Sequence, residues 1–306
     1  MKAAATTESV AQTAPGSTSE SESESESEPG AGATAAPLVS ADQIGAGRCT
    51  GFASMGLVGQ TVDLPPPLYA FGDADCVLRL RSASGGCIAY DVDGRLCPIG
   101  VSDVGLCVTV FNLHLSHTAG FDAPSALTVQ TLAWELLLGR YTLDGALHLL
   151  KHLKAPMMCG AAMLLGDASG SALVELSYGE VACITSTVGP LFRTNHPLVD
   201  SLKLFNGNGR KEQMCSDERL AQLRAQFAKQ ESRFASDGAE DLADLLGSSK
   251  KVCHAGTLAT IACDARKRRL VVDFKERFPA KGGGRIVSGR SVSCKIKRTR
   301  YVYEGL

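Results

Sequence analysis

Between Cys49 and Asn112 the chain is a succession of short apolar segments, separated by glycine turns, by Pro65-Pro66-Pro67 and by the steps Gly85-Gly86, Asp93-Gly94 and Val104-Gly105. No segment is long enough for a stable helix, and the glycines act as turn signals. This stretch therefore reads as a set of short strands. The spacing predicts strands over 49–55, 59–64, 76–82, 86–91 and 105–113. Residues 76–82 alternate apolar and basic side chains, the pattern of a half-solvated strand. Residues 105–113 are almost wholly apolar and read as a central strand.

The pattern then changes period. Leu127, Val129, Leu132, Leu136 and Leu137 fall on one helical face, and Leu143, Ala146, Leu149, Leu150 and Leu153 repeat it. Helices are expected over 124–139 and 142–154, the second opened by Thr142. Trp134, the only tryptophan, reads as a core anchor. Strands follow at 160–166, 171–177, 180–187 and 191–195, with turns at 166–170 and 178–179. Helices are expected at 216–236 and 238–247, and a last strand pair at 255–263 and 269–274. The order is strands, two helices, strands, helices, strands, which points to an α/β layered domain.

Charge marks the ends. Residues 1–48 carry a net −5 and residues 265–306 a net +10. Residues 1–46, with Ser-Glu repeated from Ser19 to Glu28, cannot bury enough apolar surface to order a chain and read as a disordered tail. Residues 47–274 read as the folded domain. Residues 275–306, with Gly282-Gly283-Gly284 and a basic run, read as a loose basic tail. Positive charge alone can touch phosphate, but no aromatic-basic module accompanies it, so no nucleic-acid partner is expected.

Eleven cysteines, odd in number and scattered, contain no Cys-x-x-Cys pair. This argues against a zinc site or a disulfide framework and for reduced, buried thiols in a cytoplasmic setting. There is no secretory h-region and no apolar run of membrane-spanning length. No metal, cofactor or membrane is expected. The histidines at 114, 117, 148, 152 and 254 lack metal-ligand spacing with nearby acids.

The candidate chemistry sits in Arg48-Cys49-Thr50-Gly51-Phe52-Ala53-Ser54-Met55-Gly56 and Gly59-Gln60-Thr61-Val62-Asp63-Leu64. Two short antiparallel strands joined by a tight connection, with glycines 56 and 59 turning the chain, return Asp63 toward Cys49. A second stretch, Phe192-Arg193-Thr194-Asn195-His196-Pro197, ends a strand on Asn-His before a proline. A Cys49 thiol could equally be a small buried hydrophobe, Asp63 a turn carboxylate and Asn195 a turn cap.

Taken together these motifs resemble the N-terminal-nucleophile (Ntn) hydrolases, and in particular the acyl-coenzyme A:6-aminopenicillanic acid acyltransferase family, peptidase family C45. The resemblance covers about residues 47–274. It implies a four-layer αββα sandwich and self-cleavage before Cys49, after which the cysteine is both nucleophile and amino terminus. It implies that Asp63 orients the α-amine and that the Asn195 amide serves the oxyanion hole. Thr50, Asn112 and His196 would line the pocket or stand beside it. A papain-like Cys–His reading of His196 is weaker, because the α-amine makes a histidine unnecessary.

The substrate implied is a linear amide or acyl thioester. The family's arginine near the last strand pair corresponds to the stretch holding Arg266, Arg268 and Arg269. Two features depart from the family: Arg48 stands where a glycine usually precedes the cysteine, and the Ser/Glu tail stands where a helical leader is usual. They support one alternative, an uncleaved inactive Ntn-fold protein; a second alternative, a bile-salt or penicillin V acylase-like hydrolase, shares the cysteine chemistry.

Overall fold

The computed structural model describes residues 48–63, 77–91, 98–116, 128–153, 160–177, 180–230, 238–253, 257–278 and 295–304. The Ser/Glu tail, the turn at 178–179 and the triple glycine at 282–284 lie outside the described residues.

Two antiparallel sheets are stacked face to face. The first has the order β10-β1-β2-β11-β12-β13, from β1 (Gly51–Ser54), β2 (Leu57–Asp63), β10 (Leu191–Arg193), β11 (Thr257–Asp264), β12 (Arg269–Phe278) and β13 (Lys295–Tyr303). The second is a meander in chain order, β3 (Val77–Arg81), β4 (Gly86–Tyr90), β5 (Ile99–Ser102), β6 (Cys107–Asn112), β7 (Ala161–Asp167), β8 (Gly170–Leu176) and β9 (Val181–Ser186). Val58, Val62, Ile261, Val272 and Phe274 of the first sheet interlock with Ile88, Val101, Phe111, Leu164 and Leu173 of the second. Each such fully buried side chain contributes about 1.5–3 kcal/mol.

Helices cover both outer faces. Helix α1 (Val129–Leu138) and α2 (Leu143–Lys151) bury Leu132, Leu136, Leu137, Leu147 and Leu150 on the second sheet. Thr128 and Thr142 cap them, each accepting a backbone N–H through its hydroxyl. After the four-residue α3 (Asp200–Lys203) come α4 (Arg210–Gln230) and α5 (Ala239–Ser248). Leu223, Phe227, Leu242 and Leu246 close over Phe52, Ala262 and Val271 of the first sheet. The layers are α, β, β, α, the order implied by the resemblance.

Four sequence readings are corrected. β5 went unseen because Gly100 interrupts its apolar run. A Cβ there would lie 2.2 Å from the Ile88 carbonyl oxygen, so only glycine lets β4 and β5 pair so closely. Helix α4 begins at Arg210 rather than 216, and its polar first turns hid its start. The basic stretch after 274 is not loose throughout: β12 runs to Phe278, and β13 pairs with it from Leu270↔Tyr303 to Phe278↔Lys295. Arg300 anchors that edge, donating from Nε to Asp273 Oδ1 at 2.6 Å and from Nη2 to Asp244 Oδ1 at 2.7 Å.

The β1–β2 hairpin turns on Met55 and Gly56, both at positive φ (46° and 83°), a two-residue connection whose twist matches the strands. Gly59, expected in the turn, instead lies inside β2. There a Cβ would meet the Ile261 carbonyl oxygen at 2.6 Å, and α5 crosses close above.

Candidate active site

The hairpin register sets the site. Thr61 N–H donates to the Thr50 carbonyl at 2.8 Å, extending the pairing that begins at Gly51↔Gln60. With Thr50 opposite Thr61, Cys49 and Asp63 come to the same end of adjacent strands. Thr50 N–H donates to Thr61 Oγ1 at 3.0 Å, and the Thr61 hydroxyl donates to Asp63 Oδ2 at 3.2 Å. Asp63 is 3 % exposed. Cys49, just before β1, packs against the core between the sheets.

β10 pairs with β1 through Gly51↔Arg193, which carries Thr194, Asn195 and His196 past the same end. Asn112 ends β6 on the facing sheet. Its carbonyl accepts from Asn195 Nδ2 at 3.1 Å, so the two asparagines join the sheets beside the cysteine. The six residues singled out in the sequence (Cys49, Thr50, Asp63, Asn112, Asn195 and His196) therefore gather at one end of the sandwich.

The sequence reading missed Arg219. It projects from α4 and is 5 % exposed. Its Nε donates to Thr50 Oγ1 at 3.1 Å, its Nη2 to Asn195 Oδ1 at 3.2 Å and its Nη1 to the Cys215 carbonyl at 3.3 Å. Burial lowers its pKa, and the charges of Asp63 and Cys49 act against that shift. A signal existed. The apolar stripe Leu220, Leu223, Phe227 extends one turn back to Ser216 and Arg219, polar residues on the buried face of a helix. The arginines expected near the last strand pair lie elsewhere. Residues 265–268 form the β11–β12 turn beyond Asp264, which pairs with Leu57 at the far end of β2 from Asp63. Arg269 is paired with Glu240 and Glu304.

The thiol is held protonated. Burial first, then the negative field of Asp63, pushes Cys49 up to about 12; the Asp63 backbone N–H and the Arg219 guanidinium pull the other way without prevailing. A nucleophilic thiolate here needs a proton acceptor close at hand.

Behind Asn195 lies a polar relay. Asn195 N–H donates to Ser216 Oγ at 3.3 Å, and Ser216 Oγ lies 2.8 Å from His196 Nδ1. Thr194 Oγ1 is 3.1 Å from the same nitrogen, and His196 Nε2 is 3.4 Å from Asp217 Oδ1. Burial pushes His196 down to about 4, aided by the arginines at 193, 219 and 224 and opposed by Asp217. The tautomer with its proton on Nε2 would face Asp217 with a donor and leave Nδ1 to accept from a hydroxyl. One layer deeper, Arg193 and Glu175 form a fully buried ion pair. Glu175 also accepts from Leu198 N–H at 2.8 Å and Val199 N–H at 3.0 Å, fixing the loop that follows Asn195.

Among the described residues no group of three His, Cys, Asp or Glu side chains is placed to hold a metal ion, and no helix is long and apolar enough to cross a membrane. No protein-family profile matches the chain, and no curated protein matches it by sequence. Among solved structures, penicillin V acylase from Agrobacterium tumefaciens is similar over 74 % of each chain, with 14 % identity and a TM-score of 0.40.

Proposed function

We propose that this chain is a cysteine amidohydrolase or acyltransferase of the N-terminal-nucleophile kind, acting on a linear amide or acyl thioester through an acyl-enzyme on Cys49. The observation that carries this reading is the hydrogen-bonded set around Cys49, in which Thr61 and Asp63 stand on one side and Arg219 ties Thr50 to Asn195 on the other.

In the uncleaved chain the Cys49 nitrogen is a peptide nitrogen and cannot act as a base. Attack of Cys49 Sγ on the Arg48 carbonyl carbon breaks the Arg48–Cys49 C–N bond. It leaves a thioester at Sγ and passes the thiol proton to the departing nitrogen. Water hydrolyses the thioester, giving a carboxylate on Arg48 and a free Cys49 with thiol and α-amine. That amine, with an ordinary pKa of about 8, is the missing proton acceptor.

Turnover then follows the same geometry. The α-amine takes the thiol proton as Sγ attacks the substrate carbonyl. Asp63 holds the resulting ammonium. Asn195 Nδ2 gives one N–H to Asn112 and offers the other to the developing oxyanion, and Arg219 on Oδ1 fixes which way that amide faces. The ammonium protonates the leaving group. Water or an acceptor amine then takes the acyl group from sulfur.

The test is intact-mass measurement of wild type beside Cys49→Ala. Two fragments meeting at Arg48/Cys49 in wild type alone are expected. A single uncut chain in both would sink self-processing and assign the fold to an inactive protein, the reading that Arg48 favours.

A further inference from the structure

The other end of the sandwich carries a cleft of about 440 Å³ lined by Arg81, Ser82, Gly85, Gly86, Asp103, Arg140 and Arg268. Three turns and one helix end meet there: the β3–β4 turn, the β5–β6 turn, the β11–β12 turn and the residues after α1. Their juxtaposition is tight. A Cβ on Gly105 would lie 2.7 Å from the Ala265 carbonyl oxygen, and one on Gly85 would lie 2.6 Å from Arg140 Cγ and 2.7 Å from the Leu138 carbonyl oxygen. Cys49 and Asp63 are at the opposite ends of β1 and β2 from this cleft.

Three features set the cleft apart. First, the exposed guanidiniums of Arg81, Arg140 and Arg268 all line this one cleft and make no ion pair or hydrogen bond among the described residues. At these exposed positions water and salt weaken the mutual repulsion of the three charges, and a bound anion would relieve what remains. Second, Arg140 (φ 57°) and Arg268 (φ 49°) both hold a left-handed backbone that glycine would adopt without strain. Two long cationic side chains thus occupy positions where the backbone favours glycine, and both line one cleft. Third, Asp103 lines the same cleft, and its Oδ1 has no hydrogen-bond partner.

We propose that this cleft binds a phosphate monoester carried on a small hydroxylated molecule. The planar, forked guanidiniums of Arg81, Arg140 and Arg268 grip the phosphate oxygens, as such groups do in bidentate fashion. Asp103, on the wall of the same cleft, accepts from a hydroxyl of the carrier. The volume suits a sugar phosphate or a nucleoside monophosphate. The site is separate from Cys49, and its failure would leave the reading of Cys49 untouched.

The experiment is calorimetric titration of the full chain with ribose 5-phosphate, inorganic phosphate and ribose, for wild type, Cys49→Ala and the double variant Arg140→Gly/Arg268→Gly. Glycine suits both backbone conformations, so the double variant should melt no lower than wild type and loss of binding is not loss of fold. Ribose 5-phosphate should bind wild type and Cys49→Ala alike, more tightly than inorganic phosphate. It should lose at least about tenfold in affinity in the double variant, and ribose should not bind. Undetectable binding of both phosphates to wild type, or equal affinity in the double variant, would overturn the proposal. So would binding of a polyanion such as duplex DNA in place of the monoester, which would make the cleft part of a nucleic-acid surface.

Discussion

Cys49 and His196 are both pushed toward their neutral forms, and in each case burial is the largest cause. For the cysteine this means that reactivity depends on a proton acceptor and not on the ambient pH alone. For the histidine it ties stability to acidity. An unfolded His196 titrates near 6.5, whereas the folded one titrates near 4. Between these values the unfolded chain binds the extra proton, so this group's contribution to stability is present above pH 6.5 and is lost as pH falls toward 4. Thermal melts across that window should show a falling midpoint in wild type and a shallower fall in His196→Gln. An unchanged slope in the variant would place the proton uptake on other groups.

Strands β8 and β10 are joined at depth by Glu175 and Arg193, and this pair is the element-scale support for Asn195. Removing one partner leaves an uncompensated buried charge. Glu175→Ala should destabilise the protein by about 3–5 kcal/mol in urea denaturation. The double variant Glu175→Leu/Arg193→Met should recover most of that loss. If the single and double variants are equally unstable, the lost contacts to Leu198 and Val199 would be the cause instead. Much of the element order is legible in the sequence because the period of its apolar residues changes from two to near four at Val129 and back at Ala161. What is not legible is β5, where Gly100 breaks the run, and β13, whose basic residues look like a tail until β12 supplies a partner. At the candidate site, Cys49, Asp63 and Asn195 are singled out by the family resemblance of their motifs, because each residue type taken alone fits a buried thiol, a turn carboxylate and a turn cap equally well. Arg219 is hidden because it works across 169 positions of chain, from a helix whose charged exterior masks one polar turn of its buried face.

At the scale of the whole molecule, the two sheets are pinned together just beyond the cysteine. A Cβ on Gly51 would lie 2.3 Å from Phe111 Cζ, so the spacing between β1 and β6 at that point leaves no room for a side chain. Gly51→Ala should lower unfolding stability by about 1–3 kcal/mol through overpacking, and Phe111→Leu on the same background should restore part of it. An alanine variant as stable as wild type would mean that the sheets can separate there without penalty.

The β1–β2 hairpin also separates the site into parts that assemble at different times. Cys49 and Asp63 are fourteen residues apart and meet as soon as a two-residue turn closes, on a scale of about 1–10 μs. Asn195 and Arg219 arrive only when β10 and α4 have docked on that hairpin, contacts of high sequence separation that form late. On the proposed reading, a nascent or misfolded chain would therefore hold a thiol and an acid but not the groups that would steady an oxyanion. If Cys49 acts as proposed, its chemistry would wait for those long-range contacts, and the scission that would activate the molecule would also certify that it had finished folding.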